Sequence, residues 1–200
     1  SSKLYDRVYG SGRWKYSTIY SLSIGQGEMQ VTPLQMANLA AIFANKGYYY
    51  TPHFIDSVEE EDEIDKKLLE NFRVKQEVTK IPTEYFDVIK EGMHDVTVFG
   101  TAAFIKVPGH EFCAKTGTAQ NPHGEDHSIF ISFAPMNHPK IAIAVIVENS
   151  GYGSTWAAPI ASLLVEKYIK DSISRPAYYI DRLLNADLIH PTFTETKESH

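Results

Sequence analysis

The sequence predicts an α+β fold in which an antiparallel three-strand meander, around residues 111–148, is packed with helices. Three stretches carry the sheet: 111–120, 128–134 and 140–148, each apolar or β-favouring. Between them stand Pro122-His123-Gly124-Glu125-Asp126 and Pro135-Met136-Asn137-His138-Pro139, which are turn sequences. Connections that short join neighbouring strands antiparallel. Helical spacing on either side of the sheet, at 33–46, from 82 onward and at 157–170, supplies the packing layer.

Composition narrows the function classes. The chain has 200 residues, is 43% hydrophobic and carries a formal charge of −6, ordinary for a globular core and wrong for a nucleic-acid partner. No apolar run reaches the ~18 residues needed to span a bilayer, and no charged, then apolar, leader marks a secretion signal. A single cysteine excludes an internal disulfide.

In chain order, residues 1–22 mix aromatic and basic side chains with Gly10 and Gly12 and read as an irregular surface segment. Gly25-Gln26-Gly27 lacks the third glycine and preceding strand of a nucleotide loop, so it reads as a tight turn leading into a helix. Thr32 can cap that helix, Pro33 suits its first position and Gly47 its end. Its near-absence of polar residues predicts burial on several sides. Residues 48–55 read as a short strand and 72–78 as its return, with the acidic block 59–63 as a solvated loop. That block lacks the alternating ligands and central glycine of a calcium loop. Pro82-Thr83-Glu84 opens a helix with Tyr85, Phe86, Ile89, Met93 and Val96 at helical spacing, and β-favouring Val96-Thr97-Val98-Phe99 stops at Gly100. The third strand is continuously apolar, as an inner strand covered on both faces would be. After it, Ala157-Ala158-Pro159 starts a helix whose sheet-facing stripe is expected at Ile160, Leu163, Leu164, Lys167, Tyr168 and Ile169. A shorter helix follows near 176–184, and 190–200 read as a frayed tail. There is no internal repeat or second domain.

The chemistry centres on Lys115-Thr116-Gly117-Thr118, placed by this pattern on the first strand of the meander. Gly117 leaves room for another chain to approach the backbone, and the N–H and C=O of Thr118 can meet an extended peptide along a strand edge. An N–H aimed at a reacting carbonyl is half of an oxyanion hole.

The motifs Ser23-Ile24-Gly25-Gln26-Gly27-Glu28, Val31-Thr32-Pro33-Leu34-Gln35-Met36-Ala37, Gly100-Thr101-Ala102, Lys115-Thr116-Gly117-Thr118-Ala119-Gln120 and Ala157-Ala158-Pro159-Ile160-Ala161 occur in that order. Together they resemble the C-terminal half of the transpeptidase domain of class B penicillin-binding proteins, over roughly residues 5–170. His127-Ser128-Ile129-Phe130, Phe133-Ala134-Pro135 and Val147-Glu148-Asn149 resemble the elongation-type branch, penicillin-binding protein 2. The resemblance implies a penicillin-binding/β-lactamase-like transpeptidase fold, with 1–171 as the latter part of that domain and 172–200 as an extension. It implies that Lys115 supplies positive potential to a substrate carboxylate and that Thr116 and Thr118 are its hydroxyl partners. Gly117 gives clearance, Thr118 contributes the oxyanion N–H, and Gln120 and His127 border the substrate cleft.

Such chemistry needs a nucleophilic serine and a base. No serine here has Lys at the third following position, and none has Asn or Asp at the second. The Ser-x-x-Lys and Ser-x-Asn motifs lie upstream in the family, so this chain is expected to be a fragment, inactive alone. The implied activity is peptidoglycan D,D-transpeptidation, at the periplasmic face of the bacterial inner membrane, with any anchor outside this chain. Its partners are stem peptides, β-lactams and proteins of the cell-elongation machinery. Cofactors are not expected. The alternative is a non-catalytic peptide- or β-lactam-recognising module; a β-lactamase is disfavoured by the stretch from Gly25 to Gln35.

No metal is expected either. His123-Gly124-Glu125-Asp126-His127 has Gly where a zincin needs Glu and Asp where the inverted pattern needs Glu, and it sits in a turn rather than on a helix. Cys113, in an apolar strand, reads as inert core.

Overall fold

A computed structural model describes residues 2–27, 29–55, 57, 63–78 and 81–189, in two compact units, 1–32 and 33–200. The predicted tail at 190–200 and all of the acidic block except Glu63 lie outside the described residues.

The first unit corrects the expectation of an irregular segment. Helices α1 (Ser2–Tyr9) and α2 (Tyr16–Ser23) flank a turn in which Gly10 and Gly12 adopt φ of +90° and +70°. The glycines therefore separate two helices, since the left-handed region suits them. Asp6 ties the turn: its carboxylate accepts from the Trp14 indole at 3.0 Å and the Gly12 N–H at 3.3 Å. Gly25-Gln26-Gly27 is the expected turn, with Gly25 and Gly27 at φ of +82° and +78°. It terminates α2, with Gly25 N–H bonded to Leu22 O and Gln26 N–H to Ser21 O.

The second unit is built on strands β3 (Cys113–Ala119), β4 (His127–Ala134) and β5 (Ile141–Val147), antiparallel and in the order β3-β4-β5. The meander is the predicted one. Its central strand is β4; among the described residues β5 lies at an edge, contrary to expectation, and its residues are half-buried on both faces. Alternation explains how. Ile141, Ile143, Val145 and Val147 pack with Ala114, Phe130 and Ala134 on one face, against Ala158, Ala161 and Val165 of α6 (Ala157–Lys170). Ala142 and Ala144 pack on the other face with Cys113, Ile131 and Phe133, against Ala40 of α3 (Pro33–Ala44) and Met93 of α5 (Thr83–Val98). Each fully buried phenylalanine, Phe130 and Phe133, contributes about 2–3 kcal/mol.

The helices show three further departures. In α6 the buried face is Ala157, Ala158, Pro159, Ala161, Ser162, Val165 and Glu166, while Leu164 and Tyr168 are exposed. Small side chains let the helix sit close to the sheet; of the stripe expected there, Ile169 does pack against the core and Ile160 and Leu163 are half-buried. Helix α3 buries only Ala40 fully and leaves Leu34 and Leu39 exposed. It ends as a Schellman turn in which both Lys46, at φ of +58°, and the expected Gly47, at φ of +106°, are left-handed, with Gly47 N–H bonded to Ile42 O at 2.9 Å. Finally, Val96 to Val98 complete α5 rather than a strand, since the helix keeps its i−4 hydrogen bonds to Phe99 N–H.

The expected strands at 48–55 and 72–78 shrink to β1 (Tyr48–Tyr49) and β2 (Gln76–Glu77). Phe72 and Arg73 close a helix that was not anticipated, α4 (Glu63–Arg73), and Phe72 stacks on His53 at 4.5 Å. Leu68, Leu69 and Phe72 fall on one helical face, a period that local alternation in 72–78 had masked. Helix α7 (Ala177–Leu184) completes the described fold.

Candidate active site

Strand β3 is the outer strand of the sheet, with no strand beyond it among the described residues. It reaches that position along a well-held path. Gly100 approaches α5 so closely that an added Cβ would lie 2.7 Å from Val96 Cα, and Ala102 N–H bonds Val96 O at 3.0 Å. The Phe112 carbonyl, just before β3, accepts from His94 Nδ1 at 3.2 Å and from the Thr97 hydroxyl at 3.2 Å. Cys113 then donates its thiol to Lys90 O at 3.3 Å. Burial pushes that thiol up to about 12, against the opposing pull of the Lys90 ammonium, so it stays neutral.

Lys115 is exposed, and its ammonium curls to the Thr116 carbonyl at 2.7 Å. Strand alternation sends Lys115 and Gly117 to one face and Thr116 and Thr118 to the other. A single ligand can therefore touch both the ammonium and the hydroxyls only by lying along the strand edge. The Thr116 hydroxyl meets that of Thr101 at 2.8 Å, which joins the Gly100-Thr101-Ala102 turn to the strand. Gly117 pairs with Ile129, and a Cβ on it would press to 3.3 Å of the Ile129 Cβ. Gln120 is exposed just past the strand end, and His127 pairs with Ala119, next to it. The Asn149 N–H donates to His127 Nδ1 at 3.0 Å, which puts the neutral ring's proton on Nε2.

The β3–β4 turn is closed by its own polar groups. Asn121 N–H bonds the Asp126 carboxylate at 3.1 Å and its side-chain amide bonds Asn149 Oδ1 at 2.6 Å. No group of three or more His, Cys, Asp or Glu able to hold a metal occurs among the described residues.

Behind the strand lies support that sequence reasoning missed. Ser128, fully buried, donates to Tyr152 O at 2.9 Å and accepts from Ala157 N–H at 3.1 Å. It thereby pins the loop before α6 to β4. Gly153 in that loop rests on the strand pair itself. A Cβ there would overlap the carbonyl oxygens of Gly117 and Ile129 and come within 3.1 Å of the Gly117 N. The one sequence signal was glycine at an otherwise unremarkable turn; nothing local named its partner.

The fold is that of the penicillin-binding transpeptidases, an antiparallel sheet with helices on both faces and Lys-Thr-Gly on the outer strand. The chain belongs to that family: the penicillin binding protein transpeptidase domain matches residues 6–166. Among its relatives, the peptidoglycan D,D-transpeptidase MrdA of Acinetobacter baumannii is 30% identical over 192 residues, which is 88% of this chain and 28% of that protein. The crystal structure of Pseudomonas aeruginosa PBP2 in complex with WCK 5153 superposes with a TM-score of 0.70 at 30% identity, covering 90% of this chain and 38% of that one. PBP2 of Helicobacter pylori, solved in complex with MreC, shares the fold with a TM-score of 0.66 at 22% identity, over 84% of this chain and 30% of that one. The chain thus spans less than a third of the MrdA relative's length.

Proposed function

We propose that this chain is the C-terminal portion of the transpeptidase domain of an elongation-type peptidoglycan D,D-transpeptidase, which cross-links stem peptides by serine acyl transfer. The observation that carries the reading is the outer-strand Lys115-Thr116-Gly117-Thr118, pinned to Thr101 and backed by the Gly153 loop. In the reaction a serine oxygen attacks the substrate carbonyl, and negative charge develops on the carbonyl oxygen. The Thr118 N–H stabilises that charge, while Lys115 and the Thr116 and Thr118 hydroxyls hold the substrate carboxylate. Gln120 and His127 border the bound peptide. The serine and its lysine partner come from a Ser-x-x-Lys sequence that this chain does not contain, so the chain alone is inactive.

The sequence relatives support the peptidoglycan assignment. β-Lactam binding is proposed by likeness to Mycobacterium tuberculosis penicillin-binding protein A, solved as a penicillin G acyl-enzyme complex, and an elongation partner by likeness to Helicobacter pylori PBP2, solved with MreC. The periplasmic face of the inner membrane is the matching location. No helix among the described residues is long and apolar enough to cross a membrane.

Fluorescent penicillin followed by intact-mass analysis tests the reading on two proteins, this chain and the longer product of its gene. The expected result is a stoichiometric adduct on the longer product and none on the chain. An adduct at any serine of this chain overturns the assignment of the nucleophile. If the longer product binds the drug reversibly and never acylates, it is a non-catalytic recognition module.

A further inference from the structure

We propose that residues 172–185 form a positioning strap that holds the Lys-Thr-Gly strand from behind; its catalytic meaning rests on the function proposed above. Helix α7 buries no residue fully, and Tyr178 and Leu184 on it are largely exposed. Tyr179, Ile180 and Leu183 form a half-buried face, which by itself holds the helix loosely. Polar pins at two places fix its position. At the first, the fully buried Glu166 of α6 collects the returning chain: Oε1 accepts from Ser174 N–H at 3.0 Å and from the Ser174 hydroxyl, and Oε2 from Arg175 Nε at 3.0 Å. The Arg175 guanidinium then lies over the Tyr179 ring at 5.1 Å, which sets the start of α7. At the second, Arg182 reaches the other end of α6. It donates to Thr155 O at 3.4 Å and covers the ring of Trp156, the N-cap residue, at 5.2 Å.

The strap thus touches α6 at both ends, and the second contact falls on the loop that backs the site. Thr155 N–H bonds Tyr152 O and Ala158 N–H bonds Gly153 O, so the loop moves as one turn. Gly153 seats that turn against the backbone of Gly117 and Ile129. A buried ion pair is a poor source of net stability, but its geometry is specific, which suits a part that sets register. The line from Arg182 through Thr155 and Gly153 to Gly117 makes Arg182 a positioning residue for the oxyanion strand.

Hydrogen–deuterium exchange on the 200-residue chain tests this without any catalytic activity. Arg182→Ala removes an exposed side chain and leaves the Glu166 anchor intact. It should speed exchange of the 115–119 and 152–157 amides about tenfold, while the β4 amides of Phe130 and Phe133 keep their rates. Arg182→Lys, which keeps a cation over Trp156, should stay near wild type. Unchanged exchange at 115–119, or equal acceleration throughout β4 and β5, overturns the strap. In the longer gene product, Arg182→Ala should slow penicillin acylation while reversible binding holds. A longer product that never acylates sinks the enzymatic reading and leaves the exchange result to decide the strap alone.

Discussion

Glu166→Gln should destabilise the chain by about 3 kcal/mol near neutral pH, the lower end of the cost of breaking a buried ion pair. The amide keeps the volume of the carboxylate but gives up its charge. Arg175, whose side chain is 11% exposed, then loses its counter-ion, and its Nη2 already has no hydrogen-bond partner. Lys170, at 3.5 Å and 29% exposed, is screened by water and adds little. In a chain of this size each kcal/mol moves Tm by about 2–4 °C, so the expected drop is roughly 6–12 °C. Acid adds a second signature. Burial by itself would raise the Glu166 pKa, but the hydrogen bonds from Ser174 and the Arg175 guanidinium overcome it and hold the carboxyl below its ordinary 4.5. A depressed folded pKa contributes stability that is present above the unfolded value and is lost as pH falls through the folded one. The variant has no such group, so the gap between the two proteins should be full near neutrality and close progressively once pH drops below about 4.5. Urea unfolding across a pH series reads both. A loss under about 1 kcal/mol at neutral pH, or a gap that persists undiminished into strong acid, would refute the reasoning.

Three further outcomes follow from the same geometry. Gly153→Ala places a methyl group against two backbone carbonyls that cannot swing aside; thermal melts should show a loss of about 1–3 kcal/mol or more, and a neutral variant would mean the loop is not seated on Gly117. Cys113, buried and with its thiol raised to about 12, should resist a thiol reagent at mildly alkaline pH in the folded chain and react once urea unfolds it; rapid native labelling would contradict its burial. In the longer gene product Lys115→Ala should sharply slow β-lactam acylation with Tm nearly unchanged, because an exposed cation contributes little to stability; wild-type acylation would remove Lys115 from its proposed role.

Several features were readable because they are local. Pro135 and Gly124 punctuate runs whose apolar content needs no distant information, and the Lys-Thr-Gly triplet announces itself wherever the chain places it. The misreadings share one cause. Alternation at 72–78 and the β-favouring residues at 96–98 were overruled by helices whose apolar faces found partners: Leu69 buried on α4, Phe86 and Met93 on α5. In α6 the expectation favoured the largest side chains, yet the sheet accepted Ala158 and Ala161 because a close helix–sheet approach excludes bulk.

The sequence alone determined the order of the second unit's main elements and the strand on which Lys115 sits, since both follow from period, punctuation and motif. Only the tertiary structure decided which face of each helix is buried and what stands behind the motif strand. Thr101 opposite Thr116, Ser128 beneath Tyr152 and Gly153 against Gly117 are pairs 15, 24 and 36 residues apart. Contacts at such separations depend on where whole elements dock, and docking is set by the summed packing of many side chains rather than by any residue's own preference.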